Sequence, residues 1–247
     1  MNNIGMIGGR AAVLILSGGG GDIYPLKYAV ENVFSGAKIL EIGVGAGRVY
    51  LYFLKNGFEV CGIERSEIAV KNILKHTKDA NVFCENVCDM HFANESFDRV
   101  FAFGVYHNIE DLDELQRAFY ESKRVLKKGG QLVFSVRYHS LENRLIEKII
   151  RRQKKGEFKC FHRWHFEFSD ILRFLGNDMV VQKVSYVRNV SFLFKFKCFR
   201  KRTNFNEAVA RNEGFLLNPL GSFMDRILHK IFSKAFSNLM VIVAQKG

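Results

Sequence analysis

KILEIGVGAGR, Lys38 to Arg48, sets a short apolar run against three glycines at alternate positions, followed by the opening of a helix. KILEI (38–42) reads as a buried strand. A glycine-rich turn after the first strand of a parallel sheet lets the backbone come close to a ligand, and the helix beyond it points amide donors at the same place. Counted from Gly43, the dinucleotide spacing G-x-G-x-x-G needs a glycine where Arg48 stands, and Gly47 comes one residue early. A phosphate loop is absent too, because the tract GGGGD at 18–22 lacks the lysine that G-x-x-x-x-G-K-[ST] requires. The bend therefore speaks against both a nicotinamide dinucleotide and a nucleoside triphosphate.

Outward from the bend, strand and helix alternate to about Val136. RVYLYFLKNG (48–57) reads as a helix ended by Gly57, EVCGIE (59–64) as a second strand, and SEIAVKNILKH (66–76) as a helix capped by Ser66. NVFCENV (81–87) and FDRVFAFGV (97–105) supply two more strands. Leu112, Leu115, Phe119, Ser122 and Leu126 then fall near helical spacing, with acids at the start and Lys127-Lys128 at the end, as the macrodipole prefers. QLVFSVR (131–137) makes a fifth strand. The expectation is an α/β fold with a doubly wound, mostly parallel sheet covered on both faces.

After Arg137 the rhythm changes. A basic helical stretch at 140–156 leads to the aromatic FKCFHRWHFEF (158–168), a short helix at 169–175, a strand at 178–187 and a last strand at 238–247. The fifty residues of 188–237 hold nine phenylalanines and ten Lys/Arg against three Asp/Glu. That is too aromatic for a disordered tail and too long for a hairpin, so the segment reads as an inserted, basic, aromatic cap. The expected organisation is a 1–37 segment over the ligand site, a core of 38–187 and 238–247, and the cap.

The net charge of +12 is uneven: residues 1–143 hold 16 Lys/Arg and 17 Asp/Glu, residues 144–247 hold 21 and 8. A basic second half suggests an anionic partner, whether nucleic acid, phosphorylated metabolite or membrane surface, with a solvated basic face as the plain alternative. Five scattered cysteines argue against a disulfide framework. AAVLIL (11–16) is too short for a membrane span, and the chain reads as cytoplasmic. The spacing Cys84, Cys88, His91 reads as alternating buried thiols at a strand end, and no metal is expected.

Over roughly 38–137 the chain resembles the class I S-adenosylmethionine-dependent methyltransferases, specifically the type 11 branch. The resemblance rests on Glu41 followed by Gly43, Val44, Gly45 and Gly47, on Glu64 at the end of the second strand, on Asp89 and Met90 in CDMHFANESFD, on FGVYHNIED (103–111) and on RVLKKGGQLVFSV (124–136). It implies S-adenosylmethionine as cofactor, with those residues, Arg65, Phe103 and Gly104 around it. Glu64 would take the ribose hydroxyls, since its two oxygens accept both protons. Asp89 and Met90 would border the adenine. Tyr24 and Arg10 are candidates from the N-terminal segment, Arg10 as partner of the methionine carboxylate.

Ligands of open parallel sheets lie beyond the carboxyl ends of the strands. Tyr106, His107 and Asn108 after the fourth strand, and Arg137, Tyr138 and His139 after the fifth, are therefore expected to face the transferred methyl. His107 suits proton removal near neutrality; a histidine bonded to a neighbouring loop is the alternative. Tyr138 and His139 are candidates of the same kind, or residues that pack under the cap. Arg163, Trp164 and His165 are candidate substrate residues, with the indole stacking on a ring and Arg163 meeting an anionic group, or Trp164 an ordinary core aromatic. KFKCFRKR (195–202), as a strand, would put phenylalanines on one face and cations on the other. The expected activity is methyl transfer to a small, anionic metabolite. An RNA methyltransferase, or a cofactor-binding protein without turnover, remains the alternative.

Overall fold

The computed structural model describes residues 24–77, 80–153, 163–188, 191–201 and 216–247. Arg10, the tracts at 11–22 and His162 lie outside them. The chain forms two compact units, the first comprising 1–136, 161–184 and 241–247, the second 137–160 and 185–240.

The fold carries a seven-stranded, mostly parallel sheet whose residues belong to the first unit except for Arg137, 185–187 and 239–240. Its strands are β1 (Ile39–Ile42), β2 (Val60–Glu64), β3 (Asn81–Cys84), β4 (Phe97–Phe103), β5 (Leu126–Arg137), β6 (Met179–Val187) and β7 (Leu239–Lys246), in the order β3-β2-β1-β4-β5-β7-β6. The pairs β1–β2, β2–β3, β1–β4 and β4–β5 are parallel. Every residue of β1 is buried, as expected of a central strand covered on both faces.

The helices obey the local rules their sequences announce. α1 (Leu26–Glu31) and α2 (Tyr50–Lys55) are short. In α3 (Glu67–His76) the Ser66 hydroxyl accepts the Ala69 amide, with Glu67 in the first turn and Lys75 in the last. In α4 (Leu112–Arg124) Asp111 accepts the Glu114 amide at 2.8 Å, and Leu115, Ala118, Phe119 and Ser122 form the buried stripe. Leu126 is not part of that helix. Val125 ends it, and Leu126 opens β5, which is longer than QLVFSVR because Lys127–Gly130 join the strand through an irregular register opposite Phe97–Arg99. α6 (Phe168–Leu175) has reciprocal caps from Glu167 and Asp170 and stops at Gly176, φ +70°.

The second unit contains α5 (Leu141–Gln153) and α7 (Pro219–Ile231). The described part of KFKCFRKR, residues 195–201, is not a strand. Phe192–Lys195 and Lys197–Phe199 are single 3₁₀ turns, closed by Phe196 N to Leu193 O and Phe199 N to Phe196 O, and Arg200 forms an isolated bridge with Leu217, flanked by Lys201 N to Leu216 O and Asn218 N to Phe199 O. Without a continuous ladder the alternating pattern has no strand to sort it. Behind these turns lies a buried ionic cluster. Glu142 of α5 is fully buried; its Oε1 accepts the Phe192 amide at 3.1 Å and its Oε2 lies 3.5 Å from Arg188 Nε. Arg188 also donates to the carbonyls of Phe236 (2.7 Å) and Asp225 (2.9 Å) and to the Asp225 carboxylate. Burial pushes the Glu142 carboxyl up to about 7, against the opposing pull of Arg188.

Candidate active site

The strand order reverses between β1 and β4, so their carboxyl ends diverge into the helices on either side and leave a crevice. A cavity of about 290 Å³ occupies it, bounded by Gly43 after β1, Glu64 and Arg65 after β2, Asn86 and Val87 after β3, and Gly104 after β4. Gly43, Gly45 and Gly47 have φ of +77°, +54° and +79°. At Gly43 a Cβ would stand 2.7 Å from Val105 Cγ2, whereas at Gly45 the nearest obstacle is 3.9 Å away. The bend is therefore tight at its first glycine and open at its second. Gly43→Ala combines left-handed strain, about 1–2 kcal/mol, with that clash; Gly57→Ala, φ +75° with open space around it, carries the strain alone. Urea unfolding is expected to show the larger loss at Gly43.

Glu64 closes the bend from the neighbouring strand. Its Oε2 accepts the Gly45 amide at 2.9 Å and its Oε1 the Ser66 amide at 3.0 Å. A carboxylate oxygen can accept two hydrogen bonds and each of these accepts one backbone amide, so each keeps one acceptor site. Glu41 is 4% exposed and lies behind the bend, with Oε2 lacking a hydrogen-bond partner. Burial holds its carboxyl well above the usual carboxylate range; the Tyr50 backbone opposes this and the charge of Glu64 adds to it. Val44 is buried, and its Cγ2 would meet a Cβ on Gly62 at 2.5 Å, which keeps β2 close to the bend.

Phe103 and Gly104 line the crevice. Tyr24 packs edge-on against Phe103 with centroids 5.9 Å apart, and its hydroxyl bonds to Ser135 Oγ, which accepts the Gly104 amide at 3.0 Å. Arg48 Nη1 holds the Tyr24 carbonyl at 3.0 Å. Of the residues expected around the cofactor, the fold brings Gly43, Glu64, Arg65, Phe103 and Gly104 to one cavity, with Gly45 bonded to Glu64 and Tyr24 packed on Phe103.

Asp89 and Met90 are not on that wall. Met90 is buried, its amide donating to Glu121 Oε2 at 3.0 Å and its carbonyl accepting from Arg124 at 2.9 Å, which ties it to α4; Asp89 is exposed. Asn86 and Val87 take the crevice position instead, with Asn86 Oδ1 accepting the Cys88 amide at 3.1 Å. The signal available in the sequence was position alone: they follow the end of β3 as Glu64 ends β2. Cys84 is exposed, not a buried thiol, and His91 pairs with Glu85.

After β4 the chain makes a 3₁₀ turn, Tyr106–Asn108. Tyr106 does not face the crevice. Its ring is fully buried and stacked on Phe119, and its hydroxyl donates to Ser122 Oγ at 2.8 Å, with burial raising its pKa. His107 is 5% exposed, while Asn108 and Ile109 line the cavity. Half-buried Trp164 fastens this segment: its amide donates to the His107 carbonyl at 3.0 Å and its indole N–H to the carbonyls of Ile109 (2.8 Å) and Glu110 (3.2 Å). Trp164→Phe keeps the first bond and loses the others, so a cost of about 1–2 kcal/mol is expected in urea unfolding followed by circular dichroism. Arg163 and His165 are half-buried beside it. Arg137, Tyr138 and His139 belong to the second unit, where Tyr138 packs on Tyr186 at 5.0 Å and its carbonyl accepts from Asn143.

Residues 40–134 match the family model described as a methyltransferase domain. Over 69 residues, 28% of this chain, the sequence is 45% identical to a ribosomal RNA small subunit methyltransferase H of Afipia carboxidovorans; over 67 residues it is 40% identical to a protein of the same name from Bradyrhizobium diazoefficiens. Each match takes in 19% of the relative, so the aligned part of the chain spans about a fifth of the length of these curated proteins. Among solved structures, an S-adenosylmethionine-dependent methyltransferase from Methanosarcina mazei superposes with a TM-score of 0.60 at 18% identity, covering 91% of this chain and 98% of that one. One from Archaeoglobus fulgidus gives 0.57 at 18%, covering 90% and 91%. The glycine bend, the acid at the tip of β2 and the reversal of strand order all fall inside the stretch that matches the methyltransferase-domain model, and the arrangement of sheet and helices is similar to that of these two solved structures.

Proposed function

We propose that the chain binds S-adenosylmethionine in this crevice and transfers its methyl group to a small, anionic metabolite. The observation that carries the reading is the Glu64 carboxylate, held by the Gly45 and Ser66 amides with one acceptor site left on each oxygen, which fits a pair of vicinal hydroxyls. The residues fit the rest of the cofactor as well: Gly43 and Gly45 leave backbone bare, Asn86 and Val87 offer a polar and an apolar edge for a base, and Arg65 borders the same space.

When bound, the cofactor supplies a sulfonium-activated methyl, so the protein's task is alignment more than activation. Asn108 and Ile109 would flank the reacting end, held by Trp164. His107 is proposed as the base for an oxygen or nitrogen acceptor, and its burial would keep bulk water from the transferred proton. Arg137, Arg163, His165, Tyr138 and His139 remain proposed substrate or catalytic residues, Arg10 a proposed partner of the methionine carboxylate, and 188–237 the proposed substrate-shaping cap. Incubation with radiolabelled cofactor and fractionated cell extract tests the reading: label in a small acidic metabolite supports it, label in RNA or lipid overturns the substrate class, and no label at all favours cofactor binding without turnover.

The second reading is RNA methylation. It is favoured by the partial likeness to ribosomal RNA methyltransferases and by the charge of the second unit, which holds 18 Lys/Arg against 6 Asp/Glu. Steep loss of RNA binding as salt rises would support it, and salt-indifferent behaviour would count against it.

A further inference from the structure

Helix α7 turns an apolar stripe to solvent. Leu220, Phe223, Met224, Ile227 and Ile231 recur at the spacing that lines one face of a helix, and Leu220, Phe223 and Ile231 are 58%, 59% and 63% exposed. The opposite face is the inner one. A Cβ on Gly221 would meet the Phe199 carbonyl at 2.7 Å, and Asp225 is bound by Arg188. Beside the stripe stand exposed Arg226 and Lys230, with Lys234 just beyond the helix. The charge reinforces the pattern: the second unit's 18 Lys/Arg and 6 Asp/Glu account for the whole net charge, because the rest of the chain holds 19 of each.

From this arrangement we propose that the outer stripe of α7 lies in the surface of an anionic lipid bilayer. An amphipathic helix with Phe, Leu and Ile on one side and Lys/Arg on its shoulder settles in the interface plane, the apolar face among the acyl chains and the cations at the headgroups. Thirteen residues are too few to span a bilayer, so the helix lies on it. RNA is the weaker partner for this face, since Phe223 is the one aromatic of the stripe and its leucine, methionine and isoleucines offer bases nothing to stack on. A second copy is weaker too, because pairing the stripe with itself brings two basic shoulders together.

The test is flotation of the full chain with vesicles of equal parts phosphatidylcholine and phosphatidylglycerol, with pure phosphatidylcholine vesicles alongside. Uptake is expected by the anionic vesicles alone and should fall as salt rises. Phe223→Ser/Ile231→Ser is expected to reduce it about tenfold, and Arg226→Gln/Lys230→Gln to reduce it severalfold and flatten the salt dependence. All four positions are exposed, and circular dichroism checks that the variants fold. The proposal is overturned if the wild type does not float, if pure phosphatidylcholine takes it up equally, or if the serine variant floats unchanged. It is equally overturned if sedimentation velocity shows a dimer that the serine variant dissolves. Binding of total RNA that competes with vesicles and survives the serine substitutions assigns the basic face to RNA instead.

Discussion

Glu64→Ala is expected to weaken S-adenosylmethionine binding at least tenfold, about 1.4 kcal/mol, in titration calorimetry. Two losses combine. In the proposed role the carboxylate would give both remaining acceptor sites to hydroxyls at once, and it fixes the bend through the Gly45 and Ser66 amides. Glu64→Gln is expected to fall nearly as far. Whichever way the amide turns, its NH₂ faces one of those two backbone N–H groups, donor against donor. Unchanged affinity in the alanine variant would remove the ribose assignment while leaving the fold as described.

Glu142→Gln is expected to change how stability depends on pH. In the folded chain the Glu142 carboxyl titrates near 7 against about 4.5 when unfolded, because burial penalises its charge more than Arg188 compensates. A raised carboxyl favours the neutral form in the fold. Its stabilising contribution is thus complete below about 4.5 and is lost as pH rises through about 7, by about 3 kcal/mol in all. Asp98 and Glu121 act in the opposite sense: each is held below the usual range, so their contributions are lost in acid. The informative quantity is therefore the difference between wild type and Glu142→Gln in urea unfolding. It should move in favour of the glutamine variant between pH 5 and 7.5, and a flat difference would remove the assignment.

The architecture was legible because strand and helix periods are local properties. KILEI, EVCGIE and FDRVFAF each carry their own burial pattern, and Ser66, Asp111 and Gly176 mark helix ends by their side chains or by the lack of one. Glu64 was legible for the same reason, since the last residue of a short strand can point only one way along the sheet. What failed was set by distant partners. Whether Asn86 or Asp89 borders the crevice depends on Glu121 and Arg124, more than thirty residues on, which draw Met90 onto α4. Tyr106 is turned inward by Phe119 and Ser122. Nothing near Trp164 in sequence shows that its indole N–H donates to two carbonyls of a loop more than fifty residues upstream, a tie made in the plane of the ring. KFKCFRKR carries a period of two only over Lys195–Lys197: Phe199 is three residues after Phe196 and would fall on the other face of a strand, and the segment turns as 3₁₀ instead.

That tie gives the crevice an optical handle. Trp164 is the chain's single indole, and it is bonded to the very segment whose next side chains, Asn108 and Ile109, touch the cavity. Indole emission, excited selectively beyond the absorption of the eight tyrosines, therefore comes from one fluorophore at the edge of the candidate active site, so ligand titrations need no added dye, and Trp164→Phe provides the dark control.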